Sequence, residues 1–541
     1  MIDGNRRPDR QKIRHGSSSW ADEQQIRKAG LFGKDGLFVG YHCNNALRLK
    51  SDAPGIVIAG SGSGKGRDWL IETIIRGGQH PMLVFDPKGE LAAVTIASFL
   101  RWKAFVYLWN PCGLHGMPQH KTNPLDILTL ANPMFHSDCT SVVQAIIPMS
   151  HNDSGTAQYF AQRAREWVEG LLKALVERHG FVTFPMLWRT IQSIQSNPQQ
   201  WIEMLGFMDR SAIEQVRNTA TDIWGMQQKT TGNEFTGILG TMKANLNFLN
   251  DPTLCAALEN PDFSLKDLTS AQLTSLFVMV PRDFISQWGS VLRTIFLVAS
   301  KYKARAPQAR RITMLIDEAG RMGNFEALLE AYAIGRGEGT RVIALFQDIG
   351  QIERNFGRSA ISGFLGSAQW RAFFGVREHE TARLISLMLG EETLEFDDRL
   401  QQEEARRKQW QAFWDYIAGG DPMRTVNDFN HFSAESRHRK TMSRALMKPD
   451  EILRMPENQM ISFISGLDLP PILANKYPYY TTRSLNGLWL PNPYHPPLDR
   501  VTLPGVFWSK TRRVITMRVP EELAHYPQYS NGLLCRIERQ T

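Results

Sequence analysis

An α/β fold, a parallel sheet interrupted by an all-helical insertion, is what this chain predicts, on three observations. Short runs at 56–59, 82–85, 275–280, 312–316 and 341–346, apolar except for Ser275, Thr313 and Arg341, each end in a glycine-rich or polar turn. Strands covered on both faces read in this continuous way, whereas half-exposed strands alternate. Between 137 and 250 such runs disappear, and Phe160, Ala164, Trp167, Val168, Leu171, Leu172 and Leu175 recur at helical spacing. With 541 residues, 42% hydrophobic and 21% charged, the chain is globular in composition and long enough for more than one domain.

The elements follow in order. A basic stretch carries Arg6, Arg7, Arg10, Lys12 and Arg14. The run at 56–59 then enters Gly60, Ser61, Gly62, Ser63, Gly64, Lys65 and Gly66, and Arg67 leads into a helical pattern over 68–76. This is the strand–loop–helix of a phosphate-binding P-loop. Glycines let backbone N–H groups converge on phosphate oxygens, the helix N-terminus adds its dipole, and Lys65 reaches the β- and γ-phosphates. Ala59 stands where the first glycine of the motif belongs, and Gly66 replaces the Ser/Thr that would hold Mg²⁺. Mg²⁺ keeps several waters readily, so ATP or GTP binding is expected to survive that loss.

A second strand over 82–86 ends in Asp86, with Pro87, Lys88, Gly89 and Glu90 as its turn and a helix to about Leu100; a third strand covers 104–108. Asp86 and Lys88 either border the nucleotide or fix the turn. After the helical insertion, the strand 312–316 ends in Asp317 and Glu318. Active groups sit at the carboxyl ends of parallel strands. Asp317 is therefore expected to hold Mg²⁺, directly or through water, and Glu318 to polarise the attacking water. The run 341–346 is closed by Gln347, placed to sense the γ-phosphate or orient the water. Pro-rich segments begin near Pro470, and the stretch past Pro491 has little periodicity.

Composition excludes several classes. Cys43, Cys112, Cys139, Cys255 and Cys535 show neither metal-ligand spacing nor an even disulfide framework, as in a reduced cytosolic protein. No apolar run approaches the ~18–20 residues of a membrane helix, and no secretory signal opens the chain. No Ser/His/Asp or metal-ligand cluster points to other chemistry. A net charge of +8 suggests a polyanionic partner. Arg437, His438, Arg439, Lys440 and Arg444, like the basic N-terminal residues, either contact DNA phosphates or form a solvated face. The mixed run from Glu403 to Lys408 reads as a salt-bridged helix surface.

Over about residues 15–480 the chain resembles the coupling proteins of bacterial conjugation and type IV secretion, the TraG/TraD group of HerA/FtsK-like motor ATPases. The resemblance rests on ordered signatures: the opening His15, Gly16 and Ser17; Ala59 and Gly66 as familiar variants; Asp86, Pro87, Lys88, Gly89 and Glu90; and Asn123, Pro124, Leu125 and Asp126. It continues with 315–319, Arg336 with Gly339, Thr340 and Arg341, 347–351, Phe374 with Gly375 and Val376, and 446–451.

The resemblance implies a RecA-like P-loop sheet with an inserted all-α domain, assembling as a homo-hexameric ring that uses ATP and Mg²⁺. Its domains would be an N-terminal arm and lead-in at 1–51, a nucleotide-binding domain in two parts at 52–136 and 251–480, the insertion at 137–250 and a C-terminal tail at 481–541. Arg336, Arg341 and Arg377 become candidate fingers acting across a subunit boundary, or else surface salt-bridge partners. The implied function is ATP-driven pumping of single-stranded DNA, with its bound relaxase, to the type IV secretion channel subunits at the cytoplasmic face of the inner membrane. Alternatives are a receptor selecting protein effectors and a chromosomal DNA translocase. Family members commonly carry two membrane helices before the His-Gly-Ser segment, where only fourteen residues stand here. A soluble variant, an anchor on another subunit or a truncated chain would each account for that.

Overall fold

The computed structural model describes residues 16–149, 154–228, 233–396, 399–417, 427, 431 and 440–538. Arg6, Arg7, Arg10, Lys12, Arg14, His15, Arg437, His438 and Arg439 lie outside the described residues. The chain divides into two compact units. The larger comprises 23–376, 456–469 and 473–541, and the smaller comprises 1–22, 377–455 and 470–472.

The strands, in chain order, are β1 (Leu37–His42), β2 (Asn45–Leu49), β3 (Gly55–Ala59), β4 (Met82–Asp86), β5 (Phe105–Trp109), β6 (Thr274–Met279), β7 (Ile312–Ile316), β8 (Thr340–Phe346) and β9 (Trp370–Phe374). They continue as β10 (Glu391–Phe396), β11 (Lys440–Ala445), β12 (Gln459–Ile464), β13 (Ile472–Asn475), β14 (Arg500–Leu503), β15 (Lys510–Arg518) and β16 (Leu533–Ile537). The larger unit is built on an eleven-stranded sheet of order β2-β1-β13-β12-β9-β3-β8-β7-β4-β6-β5. The stretch from β9 to β5 is parallel. In β3, β4, β6, β7 and β8 every residue is buried, as the unbroken apolar runs require. β12 pairs antiparallel with β9, and β1 with both β13 and β2.

Strand order sets the site. In the sequence β3-β8-β7-β4, the carboxyl ends of four strands stand side by side, with Ile58 opposite Phe346, Ile316 opposite Ala344 and Phe85 opposite Ile316. The residues that leave those ends are Gly60, Gln347, Asp317 and Asp86 itself.

Among the described residues of the insertion, 137–250, every regular element is a helix. Its long helix Gly155–His179 buries Ala164, Trp167, Val168, Leu171, Leu172 and Leu175, as the periodicity predicts, while Phe160 is half-buried. Ser154 caps its start by accepting from the Ala157 N–H at 3.3 Å, and Gly180 ends it with φ 80°. The stack is tied polar to polar as well: Asp222 accepts from the Trp167 indole at 2.7 Å and pairs with Arg163 at 2.6 Å. At the root, buried Asp138 of helix Phe135–Ile146 pairs with Lys301 (3.2 Å) and Arg305 (2.6 Å) at the end of helix Gly289–Ala304.

The aperiodic C-terminal stretch folds as well. β14, β15 and β16 form an antiparallel sheet, and Gln528 joins the edge strand of the main sheet by accepting from the Val106 N–H (2.9 Å) and donating to the Ala104 carbonyl (3.0 Å). Tyr526, Tyr529 and Leu534 pack with Leu100 and Phe105.

In the smaller unit β10 and β11 form a hairpin-like antiparallel pair, with Glu391 opposite Ala445 and Phe396 opposite Lys440. Gly16 adds to it through hydrogen bonds to and from Thr393. The mixed-charge run from Glu403 to Lys408 lies on helix Arg399–Ile417, its charged members exposed. Arg444 is ion-paired with Glu392 and Glu451.

Candidate nucleotide site

The loop after β3 turns at Gly62 (φ 73°) and Gly64 (φ 79°), conformations open to glycine. At Gly64 a side chain would also strike the Asp68 carboxylate, 2.2 Å from an added Cβ. The helix then begins with a wide π turn, Lys65–Leu70, before settling into α geometry at Ile71–Gly77. Trp69 anchors it, its ring tilted against that of Trp370 of β9 at 5.2 Å and its indole N–H donating to the Phe38 carbonyl.

Lys65 Nζ lies 3.7 Å from Asp317 Oδ1, with the two side chains 12% and 20% exposed. That Asp317 oxygen is buried and has no hydrogen-bond partner. Burial pushes the Asp317 carboxyl above its usual range, Lys65 pulls it back and Glu318 adds to the rise. A cation held between phosphate and Asp317 would relieve this, so the residues fit Mg²⁺. Among the described residues no group of three His, Cys, Asp or Glu side chains converges as a metal cage. Mg²⁺ at such a site is held by one or two carboxylates, substrate phosphates and water. Where Gly66 lacks the hydroxyl, the Glu90 carboxylate stands within 4.0 Å of where a Cβ would be.

Glu318 adopts a left-handed backbone (φ 58°, ψ 42°), uncommon for a residue with a side chain. Its side chain is 2% exposed and ion-paired with Arg282 and with Arg321, whose Nε is 2.9 Å from Oε2. Asp86 accepts from the main-chain N–H groups of Ala92 (2.9 Å) and Lys88 (3.4 Å). Burial pushes its carboxyl up to about 7, with the charges of Asp317 and Glu90 adding to the shift. Lys88 reaches outward over the Tyr494 ring, and its carbonyl accepts from the Tyr494 hydroxyl at 2.9 Å. Gln347 follows β8, its N–H donating to Gln351 at 2.9 Å.

The candidate arginines fall in different places. Arg336 is exposed at the end of helix Glu326–Glu338, just before β8 begins. β8 spans seven residues, so about 20 Å of strand separates Arg336 from the P-loop end of the sheet. Arg341 is buried, its side chain 5% exposed and bonded to the Ser51 carbonyl. Arg377 begins the 377–455 segment of the smaller unit.

Several contributors escape a reading along the chain. Lys476, 1% exposed, donates to Asp68 Oδ2 and to the Ser63 carbonyl, both at 2.8 Å, and lies 4.9 Å over the Phe374 ring. Nothing local marks it, because its partners are more than 400 residues away. Gly375 (φ 56°) packs on the loop so closely that a Cβ would sit 2.2 Å from that of Ser63. Arg282 carries a legible signal, being the first charged residue past β6.

With this geometry in view, residues 10–503 match the family described as "Type IV secretory system Conjugative DNA transfer". The chain belongs to this family. Among its relatives are a probable conjugal transfer protein TraG of Sinorhizobium fredii, 24% identical over 76% of this chain and 60% of that protein, and a protein VirD4 of Rhizobium radiobacter, 22% identical over 89% and 66%. The chain thus spans 60–66% of the length of these curated relatives. Its fold is that of the conjugative coupling protein TrwB: TM-score 0.61 at 16% identity, covering 85% of this chain and 92% of that one. TrwB has also been solved in complex with ADP and Mg²⁺ (TM-score 0.57, 14% identity, 85% and 93% covered). Among the described residues no helix is long and apolar enough to cross a membrane.

Proposed function

We propose that this chain is the ATP-hydrolysing motor of a conjugative type IV secretion system, passing single-stranded DNA with its relaxase toward the secretion channel. The observation that carries the reading is the facing pair Lys65 and Asp317 at the carboxyl ends of β3 and β7, in a family member with the TrwB fold. TrwB's complexes with ADP and Mg²⁺ and with non-hydrolysable ATP and GTP analogues support a nucleoside phosphate as the ligand of this site.

Backbone N–H groups of residues 60–66 cradle the phosphates, and Lys65 neutralises the β- and γ-oxygens. Bound Mg²⁺ supplies further charge neutralisation on those oxygens, with Asp317 as its protein ligand. Glu318 orients and polarises the attacking water once Arg282 and Arg321 yield their hold on its carboxylate, and Gln347, at the end of the neighbouring strand β8, senses the γ-phosphate. Arg336, at the far end of β8 from its own P-loop, suits a finger that serves a neighbouring subunit in a homo-hexameric ring. Arg377 is the second candidate. Work at the cytoplasmic face of the inner membrane, beside the channel subunits, completes the reading.

The test is ATP turnover by the purified protein with and without single-stranded oligonucleotide, over a salt series. Stimulation by DNA that fades steeply with salt and ignores sequence is expected, because phosphate contacts release counterions. Turnover indifferent to DNA, with no salt-dependent DNA binding, would remove DNA as the substrate.

A further inference from the structure

At the opposite end of the sheet from the P-loop, where β4, β7 and β8 begin, the larger unit carries an open cavity of about 560 Å³. Arg341 and Thr73 form part of its buried floor, Arg311 and His80 are half-buried in its wall, and Lys50 and Arg336 stand at its rim. Charge is unbalanced there. Four cationic side chains, Lys50, Arg311, Arg336 and Arg341, line it against two carboxylates, Asp35 and Asp52. Asp52 is shared: it lies 2.5 Å from Arg311 and 3.9 Å from Arg341. Both guanidinium groups also bond the Ser51 carbonyl, yet the Nε of each is buried without a partner, as is the Thr73 hydroxyl.

A buried cation without a full complement of acceptors is costly, and so is a buried donor left unmade. Three such donors belong to residues that line this one cavity. Burial and the charge of Arg311 lower Arg341 to about 10, which leaves it charged at neutral pH. His80 is held below its usual value by burial and by Arg311 and Arg341, so it stays neutral at neutral pH and adds no charge to the cavity wall.

The geometry points to a second anion site in this cavity, one that takes the phosphate chain of a nucleotide-sized ligand. Guanidinium forks match phosphate oxygens two at a time. The volume lies in the range of small-molecule sites and exceeds what a single phosphate fills, and Phe38 and Met82 supply an apolar wall for a larger body. The site shares no residue with the P-loop, and the inference does not depend on hydrolysis there.

The experiment uses the Lys65→Ala protein, in which the P-loop lysine is gone, with pyrophosphate as the probe in calorimetric titration. One pyrophosphate per chain is expected to bind, and at least tenfold more weakly once Arg341→Gln or Arg311→Gln is added. Thermal melting checks that each variant is folded. Should Arg341→Gln unfold, Arg311→Gln, a quarter exposed, decides alone. Absence of pyrophosphate binding to Lys65→Ala protein overturns the inference. So does binding that survives the arginine variants unchanged. Displacement of pyrophosphate by a single-stranded oligonucleotide but not by ADP overturns the nucleotide assignment in favour of DNA.

Discussion

The ammonium of Lys476 sits 2.8 Å from the Asp68 carboxylate in the first turn of the P-loop helix, and the two side chains are 1% and 2% exposed. A single buried lysine, the residue after β13, thereby ties the helix to the loop, since the same ammonium bonds the Ser63 carbonyl. Arg67 covers the other Asp68 oxygen at 2.5 Å.

Removing one member of a buried pair leaves the other uncompensated, which costs ~3–5 kcal/mol. Lys476→Met should lose about 3 kcal/mol, at the lower end because Arg67 remains, read from urea denaturation. Nucleotide affinity should fall at least tenfold as the loop loosens. A variant with wild-type stability and affinity would mean that the clamp does nothing for the loop.

Lys65→Ala and Glu318→Gln should separate binding from chemistry. The first removes the charge on the phosphates and leaves Asp317 without its counter-ion, so affinity and turnover both drop. The second keeps size and hydrogen-bonding shape while removing the carboxylate, so ATP should bind while steady-state turnover falls ~10²-fold or more. Normal turnover in Glu318→Gln would take the water-activating role away from Glu318 and leave Arg282 and Arg321 as its structural partners alone.

Asp86 makes stability depend on pH in an unusual direction. Its carboxyl is raised from 3.8 to about 7 in the folded protein. Between those values the folded state holds a proton that the unfolded state has released. Stability contributed by this group therefore decreases as pH rises from about 4 to about 7 and is level above that. Asp317, shifted the same way, contributes with the same sign. Asp86→Asn should flatten the slope across this window in denaturation midpoints collected in the absence of nucleotide. An unchanged slope would show that Asp86 is ionised in the folded state throughout.

A finger acting across a boundary makes hydrolysis a property of pairs. Arg336→Ala and Lys65→Ala should each be inactive alone, while a mixture recovers part of the activity, because some sites join an intact P-loop to an intact arginine. Arg377→Ala mixed with Lys65→Ala is the parallel measurement. Recovery by one arginine identifies it, and recovery by neither, with rings forming, rejects both.

Much of the site was legible because its parts obey local rules. The P-loop at residues 60–66, Asp86, Asp317, Glu318 and Gln347 all follow apolar runs, and parallel strands carry active groups at their carboxyl ends. The helical insertion announced itself by period. The stretch after Pro491 did not, because β15 is half-exposed along its length and lacks both an unbroken apolar run and clean alternation. Its docking depends on Gln528 meeting the edge strand β5, a pairing between residues more than 400 positions apart.

The sequence alone determined the fold class, the glycine-rich loop after β3 and the acids at the neighbouring strand ends, since backbone conformation, helical period and strand burial are short-range consequences of residue type. Only the tertiary structure decided which strand ends are neighbours, that Lys476 clamps Asp68, that two arginines hold Glu318, and that Arg336 and the P-loop occupy opposite ends of the sheet. Buried charge must find its partner in space, and no spacing along the chain records where that partner will be.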